Sequence, residues 1–236
     1  VIMCTLAWYR DRERRVVVAN RDERSDRPAT PPRLHRRGAR RILAPVDQAA
    51  GGTWIGVNDR NLFAGITNRF GAPVDRRLPS RGRWVFEALA CRTAEEAASQ
   101  FALLRPDGEN GFHLVVSDPD QTFLIWNDRT TLRVEPRGPG LHLVTERSLL
   151  DGPTERERWL APRLAALPPG EAWLQPFGAC RLDAPLDGAF VRSADGTYGT
   201  RSTTLIEWNE GLERYAHRDW SPKPLPFSRY EDLLDS

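Results

Sequence analysis

The chain has 236 residues, 40% of them hydrophobic and 28% charged, and its 34 basic and 32 acidic side chains leave a formal net charge of +2. This composition excludes a disordered chain and suits a soluble globular protein with a sizeable core. It also carries no apolar run approaching the ~20 residues needed to span a bilayer. Nothing between the ordered-looking segments reads as a linker, so a single domain over residues 1–236 is expected.

In chain order, "CTLAWY" (residues 4–9) and "RVVVAN" (15–20) flank the polar "RDRER" and predict a β-hairpin. "RPATPPRLHRRGARRIL" reads as a Pro-rich loop concentrating Arg33, Arg36, Arg37, Arg40 and Arg41. Such a cluster is either a solvated loop or a holder of carboxylate or phosphate. A second hairpin follows in "GGTWIGVN" and "LFAGITNR", where Gly51 and Gly52 suit a tight turn or a close approach to a ligand. Helix starts are signalled by Ser80 before "RGRWVFEALACR" and by Thr93 with Glu96 three residues on.

Four short strands then predict an antiparallel meander: "FHLVVSD", "TFLIWN", "TLRVEP" and "GLHLVTE". Thr154 and Glu157 form a second capping-box pattern before "ERERWLAPRLAAL". "PPGEAWLQPFG" reads as a loop or short helical turn, and strands return in "GAFVRS", "YGTRSTTLIEWN" and "LERYAHRDW". This segregated order argues against a doubly wound sheet. It points to an α+β fold, a four-layer α-β-β-α sandwich of two antiparallel sheets, with one large sheet covered by helices on one face as the competing arrangement.

Candidate chemistry centres on Cys4. The three cysteines lack C-x-x-C spacing and the four histidines form no metal-binding pattern, so free thiols and no metal site are expected. In the first hairpin, paired residue numbers sum to about 24 or 25. Cys4 then faces Asn20 or Arg21, at the start of the polar run Asn20, Arg21, Asp22 and Glu23. A cation near a thiol lowers its pKa, and a carboxylate near an α-amine holds it in place. The Met3-Cys4 pair allows Met3 to be an initiator that is trimmed off, leaving Cys4 with a free α-amine. An amine titrating near ~8 and a thiol near ~8.5 exchange a proton at little cost, and no histidine is needed. The plainer readings stay open beside this one: a small buried hydrophobe for Cys4 and a surface ion pair at a hairpin end for its neighbours.

Taken together, "MC" followed by a hairpin and "ANRDER", then "RP", "GGTWIGVN", "TNR", "SRG" and "YGTRSTT", resemble the NRDE family, also called the transport and Golgi organization protein 2 family. The matches run from Cys4 to Thr204. The resemblance implies a fold like that of the N-terminal nucleophile hydrolases, which cleave amide bonds, with Cys4 at the position of the nucleophile. By analogy with penicillin V acylases and bile salt hydrolases, it implies that Cys4 attacks a carbonyl while its α-amine serves as base. Arg21 and Asp22 would position thiol and amine, with Asn20 as an alternate. Asn68 would be an oxyanion donor, and Arg201, with Asn20 and Glu23, would contact substrate. A turn cap for Asn68 and a cross-strand ion pair for Arg201 are the competing readings. At "GLHLVTE" the family usually reads Ser-Asn, and this chain has Thr145 and Glu146 instead.

The expected function is therefore hydrolysis of a small non-peptide amide or related acyl compound after removal of Met3, with no cofactor. The alternative is a non-catalytic protein on the same fold that binds or traffics a haem or acyl-CoA-like ligand. Nucleic-acid binding ranks last because it demands a larger basic excess. A small-molecule partner and a cytoplasmic location are expected, and the oligomeric state stays open.

Overall fold

A computed structural model describes residues 4–150, 152–220 and 224–235. The β-branched runs at the start form the expected hairpin, β1 (Thr5–Arg10) and β2 (Arg15–Arg24), in the register Thr5↔Asn20. The arginine-rich segment that reads as a loop is instead a hairpin of β3 (Ala29–Arg37) and β4 (Arg40–Asp47), turning at Gly38 with φ +55°. Its prolines misled the reading. Pro31 and Pro32 fall where the register shifts between Thr30 and Arg33, on an outermost strand, where the missing N–H groups are tolerated.

The second hairpin, β5 (Ile55–Asn58) and β6 (Phe63–Asn68), forms as expected. Gly51 occupies a positive-φ turn, and the close approach at Gly52 is to protein backbone, since an added Cβ would sit 2.7 Å from the Gly82 carbonyl carbon. Helix α1 (Arg83–Ala90) is capped by Gly82 with no side-chain bond, so Ser80 is not its cap. Helix α2 (Ala94–Phe101) is capped by Thr93, whose hydroxyl accepts from the Glu96 amide, while the Glu96 carboxylate turns to the Arg92 amide.

The predicted meander divides. Strands β7 (Phe112–Ser117), β8 (Thr122–Asn127) and β9 (Leu132–Pro136) pair in succession. Strand β10 (Gly140–Thr145) leaves them and pairs with β1. The switch falls at Gly138-Pro139-Gly140, where Pro139 has no amide donor and Gly140 takes φ +108°. Beyond it come α3 (Glu155–Ala165), the short turn α4 (Leu174–Phe177), β11 (Tyr198–Trp208), β12 (Leu212–Asp219), β13 (Ser228–Arg229) and α5 (Asp232–Asp235). The expected strand at "GAFVRS" reduces to isolated bridges, Cys180↔Phe190 and Arg192↔Gly199.

Two compact units result. One holds the chain through Arg27 together with Pro139–Arg229; the other holds Pro28–Gly138 and the residues from Tyr230. The first is built on a six-stranded sheet ordered β10-β1-β2-β11-β12-β13, and the second on a seven-stranded sheet running from β3 to β9 in sequence order. Every strand pair is antiparallel. In the first unit Leu160, Leu164, Trp173 and Phe177 pack on Val16, Val18, Leu205 and Ala216. In the second, Val85, Leu89 and Phe101 pack on Ala44, Leu62 and Leu114. Each large apolar side chain so buried contributes about 1.5–3 kcal/mol.

Helix α3 starts with a complete capping box. The Thr154 hydroxyl accepts from the Glu157 amide, and the Glu157 carboxylate accepts from the Thr154 amide at 2.6 Å. Replacing Thr154 with Ala is expected to destabilise the fold by about 1 kcal/mol, read as a lower urea midpoint at unchanged m-value.

Candidate functional site

Strand alternation divides the run Asn20–Glu23. Asn20 and Asp22 face the side of the first sheet covered by α3 and α4; Arg21 and Glu23 face the opposite side. Cys4 precedes β1, and the registers Thr5↔Asn20 and Thr5↔Thr145 carry it to a place between Arg21 of β2 and Glu146 after β10. The sequence reading of the hairpin is met on its Arg21 side. Cys4 is 9% exposed, and its Sγ lies 3.9 Å from the Asp22 carbonyl oxygen, to which the thiol donates weakly.

Asp22 is fully buried. Its Oδ1 accepts a 2.7 Å hydrogen bond from the Thr200 hydroxyl, while Oδ2 accepts none from the described residues and lies 3.5 Å from Arg156 Nη1. The same Nη1 is 3.5 Å from Oε2 of buried Glu146, an oxygen that likewise accepts no hydrogen bond from the described residues. Arg156 also donates to the Thr5 hydroxyl at 3.0 Å and to the Leu186 carbonyl at 2.7 Å. One buried guanidinium thus serves two buried carboxyls. Burial pushes the Asp22 carboxyl up to about 8 against the opposing pull of Arg156 and Thr200. Burial also raises Glu146, again opposed by Arg156. The Cys4 thiol is pushed up to about 12, by burial first and the Asp22 charge second, with Arg21 opposing. Such a thiol does not ionise by itself near neutral pH.

The other residues singled out in the sequence are placed as follows. The Asn20 side chain donates to the Phe177 and Ala189 carbonyls at 2.9 and 2.7 Å and accepts from the Thr203 hydroxyl at 2.6 Å. Arg21 lies 3.9 Å from Glu23, which also meets Arg27 at 3.5 Å. Arg201 is the extra residue of a bulge, because Thr200 pairs with Asp22 and Ser202 with Arg21. Asn68 ends β6 in the second unit, half-buried and opposite Phe112. The grouping described here consists of first-unit residues. Met3, whose removal the sequence reading invokes, lies outside the described residues, as do Val1 and Ile2.

Sequence reasoning missed Arg156 and Thr200, and noted Glu146 only as a departure. A signal for Arg156 existed: it shares its spacing with Leu160 and Leu164, so an arginine occupies the first place of the buried stripe of α3. All three cysteines are free thiols, and among the described residues no group of three His, Cys, Asp or Glu side chains is placed to hold a metal ion. No helix of the described residues is long and apolar enough to cross a membrane.

This backbone is similar to several solved structures. A variant of conjugated bile acid hydrolase from Clostridium perfringens matches with a TM-score of 0.53 at 12% identity, over 98% of this chain and 98% of that one. Penicillin V acylase from Agrobacterium tumefaciens matches at 0.53 and 14%, over 94% and 84%. The Caenorhabditis elegans ortholog of N-acylethanolamine-hydrolyzing acid amidase matches at 0.55 and 10%, over 87% and 99%. At these identities the likeness shows the fold, the α+β sandwich class of the N-terminal nucleophile hydrolases. The family model of Transport and Golgi organisation 2 matches residues 3–168, and the chain belongs to that family. No curated protein matches it.

Two outcomes follow from the buried cluster. Arg156→Met strands two buried carboxyls without their cation and should cost about 3–5 kcal/mol of stability in urea denaturation, and Arg156→Lys should cost less. A carboxyl whose folded pKa is raised contributes stability that is complete below its unfolded pKa and is lost as pH rises through the folded one. With the residues before Cys4 retained, the melting temperature of wild type relative to Asp22→Asn should therefore fall between about pH 5 and about pH 8.

Proposed function

We propose that this protein is a cysteine N-terminal nucleophile hydrolase acting on a small non-peptide amide or related acyl compound, with Cys4 exposed at the N-terminus by removal of the residues before it. The observation that carries this reading is the position of Cys4 between Arg21 and Glu146, beside a fully buried Asp22 whose Oδ2 accepts no hydrogen bond from the described residues. A thiol held near 12 needs a base at its side. An α-amine on the same residue supplies one. As an ammonium it would donate to Asp22 and draw that carboxyl back to its ionised form.

In this scheme the Cys4 sulfur attacks the carbonyl carbon while the amine takes the thiol proton. The amine returns that proton to the leaving nitrogen as the C–N bond breaks, leaving a thioester on Cys4. Water then attacks the thioester with its proton passing to the amine, the C–S bond breaks, and the acid and the thiol are released. Arg21 stabilises negative charge on sulfur, Glu23 holds Arg21, and Asn20 braces the sheet through the Phe177 and Ala189 carbonyls. The three similar structures, all of amide-cleaving or acid-conjugate-cleaving hydrolases by their names, support the reaction class.

Intact mass and N-terminal sequencing of untagged protein should show a chain beginning at Cys4, active on members of an amide and thioester panel. Cys4→Ala should lower kcat by about 10⁴-fold or more. Full turnover by that variant would overturn the proposal.

A further inference from the structure

One cavity of about 260 Å³ adjoins the cluster in the first unit. Thr200 connects the two: it lines the cavity and its hydroxyl holds Asp22 Oδ1. Three of its ten lining residues are aromatic. Phe190 meets Trp220 edge-on, with ring centroids 4.7 Å apart, and Tyr198 lies on the same lining. Trp220 is fixed because its indole N–H donates to the Thr203 hydroxyl at 2.8 Å, which itself donates to Asn20. The segment carrying Phe190 is fixed as well. Val191 and Thr200 exchange two 2.8 Å hydrogen bonds, and at Gly199 an added Cβ would sit 2.6 Å from the Val191 oxygen.

Into this lining the bulge sets Arg201, and Arg192 joins it from the facing segment. Arg201 is half-buried and has no carboxylate within ion-pair distance among the described residues. The acids that bear on it from a distance are otherwise engaged: Glu23 by Arg21 and Arg27, and Asp219 by His217 at 3.6 Å. Burial first and the neighbouring Arg21 charge second lower its pKa, with Asp219 and Glu23 opposing from a distance. A planar guanidinium held this way is matched by a carboxylate, which accepts two parallel hydrogen bonds. The ring walls are matched by a flat apolar body. The volume lies just under the roughly 300–1,000 Å³ of drug-sized pockets and so takes about one ring with its acid group.

We infer that this cavity is a subsite for a small aromatic carboxylate, with Arg201 and Arg192 taking the acid and Trp220, Phe190 and Tyr198 the ring. Resting on the hydrolase reading, this makes the substrate an amide that carries an acidic, ring-bearing moiety on the side lodged here. Calorimetric titration with three probes tests it: phenylacetate, neutral phenylacetamide and inorganic phosphate. Phenylacetate should bind with a Kd of order 1 mM, at least about tenfold tighter than either of the others. Arg201→Gln should abolish that preference. Arg192→Gln, at an exposed side chain that leaves the fold untouched, should weaken it several-fold, and Arg76→Gln, on the second unit, should leave it intact. Equal binding of phenylacetate and phenylacetamide, binding of phosphate as tight as phenylacetate, or binding of none of the three overturns the subsite. The hydrolase reading fails separately. Selective phenylacetate binding in a protein that cleaves no amide would sink the hydrolase and spare the subsite, whereas cleavage of neutral amides indifferent to Arg201→Gln would do the reverse.

Discussion

A single buried guanidinium organises the first unit. Arg156 reaches from the first turn of α3 to Asp22 on β2, to Glu146 at the end of β10, to the Thr5 hydroxyl and to the Leu186 carbonyl. Burial is the main reason both carboxyls are raised, and the shared Arg156 opposes it at each. The arrangement holds only because the capping box fixes where α3 begins, and because Leu160 and Leu164 hold the rest of the helix on the sheet. Local capping, helix packing and the protonation of Asp22 are therefore linked through one side chain.

The thiol inherits its surroundings from that arrangement. Cys4 adjoins the central strands of the sheet, with Arg21 to one side and Glu146 to the other, and Asp22 beyond its backbone contact. Because neighbouring residues on a strand point to opposite faces, the four polar residues from Asn20 to Glu23 serve two purposes. Asn20 and Asp22 tie the sheet to the helical side, whereas Arg21 and Glu23 charge the other face. The bulge at Arg201 breaks this alternation at one point and places that residue on the lining of the cavity beside Thr200.

Much of the fold was legible because local rules governed it. The β-branched runs, the hairpin register around Arg12 and the Thr93 and Thr154 caps needed only nearest neighbours along the chain. The failures share a cause. Pro31 and Pro32 suggested a loop because their tolerance at a bulged outer strand depends on what pairs with that strand. The chain from β9 to β10 read as one meander because hydrophobic alternation does not say which sheet a strand joins. Ser80 lost its capping role to Gly82, whose backbone packs against Gly52.

The sequence by itself determined the strands, the helix starts and the approach of Cys4 to the polar run of β2, since a hairpin's register follows from its turn and its alternation. Only the tertiary structure decided the burial of Cys4 and the electrostatics of Asp22. Glu146 and Arg156 lie more than a hundred residues from Asp22 along the chain, and their effect on it comes from distance and burial rather than from any local pattern. The cavity at Arg201 belongs to the same category, because a bulge, a bridged segment and an indole from three stretches of chain must meet before it exists.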